Sequence, residues 1–215
     1  MEDLPLSERI ALHALWLKSL GASGVRLDLT GQSVRGTDMH DAVLVGARLT
    51  DADFRQADLI DANFTGSDLR GADLRGAQLK GADFSAADLK NARFRGAKLN
   101  NANLERAKLA FADLRDAKLT GANLIEADLM GAELRGVDMG QAKLRGALLS
   151  GADLRGANLA GTDFSYASLL GVSLEGATVD RDTNFYGANG NADDFKGVDL
   201  TAMKRENLPS ALWAK

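Results

Sequence analysis

Histidine, carboxylate and arginine are the side chains in this sequence that could do chemistry, and their spacing decides which kind. The chain has two histidines, His13 and His40, and no cysteine. That excludes disulfides, thiolate zinc sites, cysteine nucleophiles and any three-histidine metal centre. His13 shares a helix-like N-terminal segment with Trp16, where a packing role is expected. Asp180-Arg181-Asp182-Thr183-Asn184 has the alternating acids that open a calcium loop, but its sixth position is Phe185 instead of Gly and its twelfth is Asn191 instead of Glu. A polar turn is the expectation there. The remaining carboxylates sit in outward-facing slots with nothing to poise them for acid–base work. No phosphate-binding glycine loop, nucleophile elbow or HExxH helix is present. No catalytic residue, metal or cofactor is therefore expected, and the chain does not read as an enzyme.

Arginine is different because it is periodic. Arg35, Arg55, Arg75, Arg95, Arg115, Arg135 and Arg155 recur at a spacing of 20 residues. Two residues before them stand Asp53, Asp73, Asp113, Glu133 and Asp153, with Arg93 the one reversal of sign. In a short extended segment residues two apart point the same way, so the two sets read as a mutually neutralising ladder of ion pairs. The alternative is a strip for a carboxylate-rich or phosphate-rich partner, because guanidinium groups bind such anions in a bidentate way. Interleaved acids argue against direct nucleic-acid binding, which needs uncompensated positive charge.

A period of 20 must come from the backbone. Stepping by five from Leu29 through Val34, Met39, Leu44 and onward to Val179 gives 31 consecutive units, each centred on an apolar residue. Two residues before the centre stands Ala, with Ser67, Val137, Thr162 and Val172 the exceptions from residue 42 to 177. Two residues after it stand 17 of the 23 glycines. Neither helix nor strand keeps a five-residue period on one face, so the chain turns a corner in every unit. Gly and Asn mark that corner because the third position of a type II turn requires positive φ. Four units make one 20-residue coil, and the centre phenylalanines, Phe54, Phe64, Phe84, Phe94 and Phe164, then fall on two opposing sides. The prediction is a four-sided parallel β-solenoid of about eight coils, roughly 37 Å long at strand spacing.

These units, as in Ala112-Asp113-Leu114-Arg115 and Gly121-Ala122-Asn123-Leu124, closely resemble the pentapeptide-repeat family. The resemblance covers about three quarters of the chain and implies a right-handed quadrilateral β-helix. It also implies non-catalytic protein binding, which in some members is imitation of duplex DNA toward type II topoisomerases, protecting gyrase from quinolones or peptide toxins. The chain departs from that group in three respects. No insertion interrupts its 31 units, its net charge is only −4, and its basic residues are regular.

The ends lack the repeat. Residues 1–22 read as a helical cap, with Leu6, Ile10, Ala11, Ala14, Leu15 and Leu17 on an amphipathic helix that begins near Ser7 and stops at Gly21. Residues 23–180 form the solenoid. Residues 181–215 form a last irregular coil, its centres Phe185, Phe195 and Leu200 displaced by one, and a tail with Leu208, Leu212 and Trp213. That tail either folds over the end or pairs with its copy to make a homodimer. No stretch approaches 18 apolar residues, so a cytoplasmic protein with no membrane span is expected.

Two surface features stand out. Charge is zoned along the chain, +4 over residues 91–120 and −3 over residues 41–61. Met130, Leu148 and Leu170 fall on one side in late coils and are the candidate partner patch. The expected function is a protein-interaction rod, with topoisomerase binding as the alternative.

Overall fold

The computed structural model describes residues 4–208 and 212. Its body is a stack of four-sided coils joined by 29 parallel bridges, the first between Asp28 and Arg48. Up to residue 158 every bridge joins residues 20 apart. The first side carries the centres Leu29, Leu49 and their successors, the second Val34 and Phe54, the third Met39 and Leu59, and the fourth Leu44 and Phe64. First and third sides are opposite.

Backbone hydrogen bonding explains the unit. The N–H two residues before a centre closes the turn onto the preceding centre, as from Gln32 to the Leu29 carbonyl at 2.9 Å. The next N–H reaches the coil before, as from Asp53 to Gln32 at 2.9 Å. The centre and the corner residue reach the coil after, Leu29 to Arg48 at 2.8 Å and Gly31 to Thr50 at 2.9 Å. One N–H in five, just after the centre, is left over. An Asp or Asn just before the centre accepts it, as at Thr30 to Asp28 (2.9 Å) and Thr65 to Asn63 (2.9 Å). The preference for Asp or Asn in that slot is thus a matter of satisfying the fifth donor.

Every corner from residue 31 to 176 has positive φ, between 55° and 71°. Glycine fills 17 of them, and thirteen other residues, Phe111 and Tyr166 included, accept the left-handed conformation. Inside, the Ala and centre columns are buried. Each buried Leu contributes on the order of 1.5–3 kcal/mol. Phe64 and Phe84 stack at 4.6 Å, while Phe54 and Phe94 meet them edge-on from the opposing side at 6.1 Å. The polar exceptions in the Ala slot find carbonyls: Ser67 donates to Phe64 at 2.6 Å and Thr162 to Met139 at 2.8 Å.

A helix, α1 (Leu6–Lys18), lies on the first coil. It starts directly after Pro5 with no side-chain cap, and the Gly21 N–H turns back to the Trp16 carbonyl at 2.8 Å. Its packed face differs from the one its aliphatic pattern suggests. Leu6 and Ile10 pack on the core, His13 is fully buried, and Ala11, Ala14 and Leu15 face outward. The cause is a hydrogen-bond need. Leu27 has no preceding centre to receive its N–H, and the His13 Nδ1 accepts it at 3.1 Å. Burial pushes the His13 imidazole below its usual value, and its Nε2 has no hydrogen-bond partner among the described residues.

At the other end one inserted residue shifts the register, so Asp163 bridges Asn184 and Ser168 bridges Asn189. The Asp180 carboxylate is consumed by backbone there, accepting from Gly161 at 2.8 Å, Asp182 at 3.0 Å and Thr183 at 2.9 Å. Beyond it Phe195 and Met203 are buried, and Leu200, Leu208 and Leu212 pack against the core. The Phe185 N–H donates to the Asn207 carbonyl at 2.8 Å, so this part of the tail takes the place of a further coil. Trp213 lies outside the described residues.

The stacked interior predicts that Phe84→Ala, which removes one ring from a four-ring cluster, lowers unfolding free energy by about 3–5 kcal/mol. Guanidinium denaturation checks it, and a loss under about 1 kcal/mol contradicts the packing described.

Candidate functional site

The short extended segment of the second side holds its outward residues two apart, and this alone makes the charged ladder. Asp53 accepts the Arg55 N–H at 3.1 Å and then both guanidinium edges, Nε at 2.8 Å and Nη2 at 2.7 Å. Arg75 with Asp73, Arg115 with Asp113 and Arg155 with Asp153 repeat this bidentate geometry. Neighbouring coils are linked as well, Arg115 to Glu133 at 3.0 Å and Arg135 to Asp153 at 2.9 Å. Two rungs lack the acid, and their arginines reach elsewhere. Beside Ser33, Arg35 turns to Gln56 at 3.1 Å, and beside Arg93, Arg95 turns to Asp116 at 3.4 Å.

These contacts set the protonation states. Arginine hydrogen bonds hold Asp53, Asp113 and Asp153 below the ordinary carboxylate range, against an opposing push from burial. At Asp73 burial is the largest single influence and pushes upward, yet the Arg75 hydrogen bonds and the charges of Arg75 and Arg55 together leave it lowered too. The four bidentate pairs hold their carboxylates ionised, with no proton to give. The ladder is an ordered surface with a positive excess, since its seven arginines and Arg93 face five acids.

The first side is the contrasting case. Its early coils are charged, with Arg48 near Asp28 and Arg70 on Asp68 at 2.7 Å. Its late coils expose Met130, Leu148 and Leu170. Two aromatic corners border them, Phe111 toward the second side and Tyr166 toward the fourth, 66% and 56% exposed. Each ring rests on a glycine of the following coil. A Cβ on Gly131 would stand 2.7 Å from the Phe111 ring, and one on Gly187 would stand 2.8 Å from that of Tyr166. Arg145 lies over Tyr166 at 5.6 Å, and Tyr186 meets it edge-on at 5.7 Å. With Tyr186 this region holds six of the ten large hydrophobic side chains exposed among the described residues; Leu15, Leu20, Val25 and Val43 at the N-terminal end are the others. The sequence reading missed Phe111, Tyr166 and Tyr186. The signal for the first two was a bulky aromatic in a corner slot that otherwise takes Gly, Asn, Asp or another small or polar residue.

Sequence comparison matches the family described as pentapeptide repeats, in eight copies, over residues 25–59, 47–85, 57–96, 87–124, 112–151 and 142–179. No curated protein matches the chain. Among solved structures it is similar to HetL, a pentapeptide repeat protein involved in heterocyst differentiation regulation from the cyanobacterium Nostoc sp. strain PCC 7120. The identity is 30%, over 89% of this chain and 92% of that one, with a TM-score of 0.36. It is also similar to QnrB1, a plasmid-mediated fluoroquinolone resistance protein, at 22% identity over 80% and 90% of the two chains, with a TM-score of 0.56. A third, alr5209 from Nostoc PCC 7120, is a pentapeptide repeat protein 37% identical over 51% and 86%, with a TM-score of 0.44.

The lowered carboxylates fix the sign of a pH dependence. Unfolded aspartates bind protons near pH 4 and the folded ones only below that. The stability they contribute is therefore complete above about pH 4 and is lost as pH falls through the folded values. Replacing Asp53, Asp73, Asp113 and Asp153 with Asn keeps an acceptor for the backbone N–H but removes the charge. The variant should melt about 2–6 °C lower at pH 7 and show a shallower acid decline, read by thermal unfolding from pH 8 to 3.

Proposed function

Since the chain belongs to the pentapeptide-repeat family, whose fold is the right-handed β-helix, we propose that it is a non-catalytic rod that binds a protein through the late coils of its first side. The observation that carries this reading is the gathering of exposed apolar and aromatic side chains at Phe111, Met130, Leu148, Tyr166 and Leu170 on an otherwise polar cylinder. A patch of this kind, rimmed by Arg145 and Glu126, has the anatomy of a protein-binding surface. Phe111 and Tyr166 hold left-handed backbone (φ 60° and 59°) that glycine would adopt more easily, and side chains retained against such a preference point to use. The repeat supplies rigidity, so little ordering entropy is lost on binding. No helix among the described residues is long and apolar enough to cross a membrane, and the cytoplasm is the proposed compartment.

The second reading is a DNA-mimicking binder of type II topoisomerase that protects gyrase from quinolones. The fold shared with QnrB1 favours it. The second side weighs against it, because its arginines outnumber its acids where a polyanion's imitation needs negative charge.

Two measurements separate these readings. In affinity capture from the native source, a partner held by the wild type should be reduced about tenfold by Met130→Asp with Leu148→Asp, and also by Phe111→Gly, which leaves the corner relaxed. Retention of the same partner by both variants removes the patch as the site. In a gyrase supercoiling assay with and without a quinolone, this protein should change neither activity nor inhibition. Protection at micromolar concentration would instead establish the second reading.

A further inference from the structure

The third side, opposite the apolar patch, carries a charge order in its first five rungs. Just before its centres stand Asp38, Asp58, Gln78, Lys98 and Lys118, stacked by the bridges that join each to the next. Read from Gln78 outward, each acid is matched by a base the same number of rungs away. Over these five rungs the column is antisymmetric in charge about one residue; the sixth rung, Asp138, departs from the pattern.

Ions within the chain do not exhaust this pattern. Asp38 is bound to His40 at 2.7 Å and Lys118 lies 3.7 Å from Asp138, but Asp58 and Lys98 have no oppositely charged partner within 4 Å among the described residues. Within these five rungs Gln78 separates the two signs, so Asp58 and Lys98 do not pair with each other, while Lys118 pairs outward with the next rung of the column, Asp138.

We propose that the third side is the interface of a symmetric antiparallel homodimer with its two-fold axis at Gln78. A two-fold axis lying across the side turns one copy end for end while keeping the column over itself. Asp58 of each copy then meets Lys98 of the other, and Asp38 meets Lys118. Gln78 meets Gln78, where two amides can exchange hydrogen bonds. A second copy fits better than an unrelated protein for a geometric reason. Two identical ladders have the same rise per rung, about 4.8 Å, so charge register holds over the whole contact. Lys80 stands beside the axis, where two copies would repel, and Asp61 on the neighbouring corner supplies the offsetting charge one rung away. His40, Asp41, Ile60, Asn100 and Thr120 complete the side and add no further like-charge contact. The five rungs span only about 19 Å, a small interface whose strength is mostly electrostatic and hence sensitive to salt. It leaves the first-side patch of each copy facing outward.

Sedimentation equilibrium on the full chain at up to about 0.5 mM, in about 20 mM and about 500 mM salt, tests this. The wild type should associate to a dimer at low salt and weaken at least about tenfold at high salt. Asp58→Lys alone and Lys98→Asp alone should each weaken it about tenfold, because the axis counts every pair twice. Neither substitution touches the core; Asp58→Lys removes the acceptor of the Ile60 N–H, 3.2 Å away, and Lys98→Asp supplies one, so both variants should stay folded, with melting shifted by no more than a few degrees. An equimolar mixture of the two variants should associate again, since the reversed charge on one chain then faces the reversed charge of opposite sign on the other. A monomer under all conditions overturns the proposal. So does a dimer indifferent to both reversals, which would place self-association at the C-terminal end or on the first side, and so does a mixture no tighter than its components.

Discussion

The structure depends on one constraint, that each coil must set its backbone donors and acceptors against those of the next. A lap of 20 residues meets it only if all four corners bend alike, and each bend needs a left-handed residue. The glycine column, the alternation of two inward and three outward residues, and the role of Asp or Asn as acceptor of the one donor the stacking omits are all consequences of it. A substitution therefore acts differently by slot. At a centre it opens a cavity, at a corner it alters backbone strain, and before a centre it strands an N–H.

The same constraint converts sequence into surface columns. Residues 20 apart have fixed neighbours above and below, so a charge repeated at that interval is brought within ion-pair distance of its sequence relatives without any folding of loops. The second side uses this to pair its acids with arginines, through bidentate pairs within a coil and bridges between coils. Exposed pairs of this kind contribute little individually. Their larger effect is order, since an arginine held at both Nε and Nη2 is no longer a mobile cation available to a passing anion. The fourth side does the same with amides, Asn123 donating to Asn103 at 3.1 Å and Asn103 to Asp83 at 3.2 Å.

The number of sides, the direction of every inward residue and the slip near residue 180 were legible in the sequence because each is a property of period. The arginine column was legible for the same reason. Less legible were features that depend on a single contact. His13 reads as one residue of an amphipathic helix, yet its Nδ1 decides the rotation of α1 because Leu27 lacks the donor's usual acceptor. Phe111 and Tyr166 read as interruptions of the glycine slot. Their meaning emerges only when Gly131 and Gly187 in the following coil are seen to make room for the rings. Met130, Leu148 and Leu170 were found from the sequence as one column pair, but the aromatic corners that enlarge them into a patch were not.

A solenoid whose interior is uniform can assign unrelated tasks to opposite sides, because the core does not care which outward residue a coil presents. Here the first side turns apolar in its late coils while the third side changes sign in its early ones. The two features overlap little along the axis and face away from each other. Any contact made through the early third side would leave the late first side open, and the rigid stack between them would fix the direction in which each copy presents it. A rod pairing in this way would display two identical patches with opposite polarity. That is the geometry by which a protein without a reactive site can still act, by holding partners at a set distance and orientation.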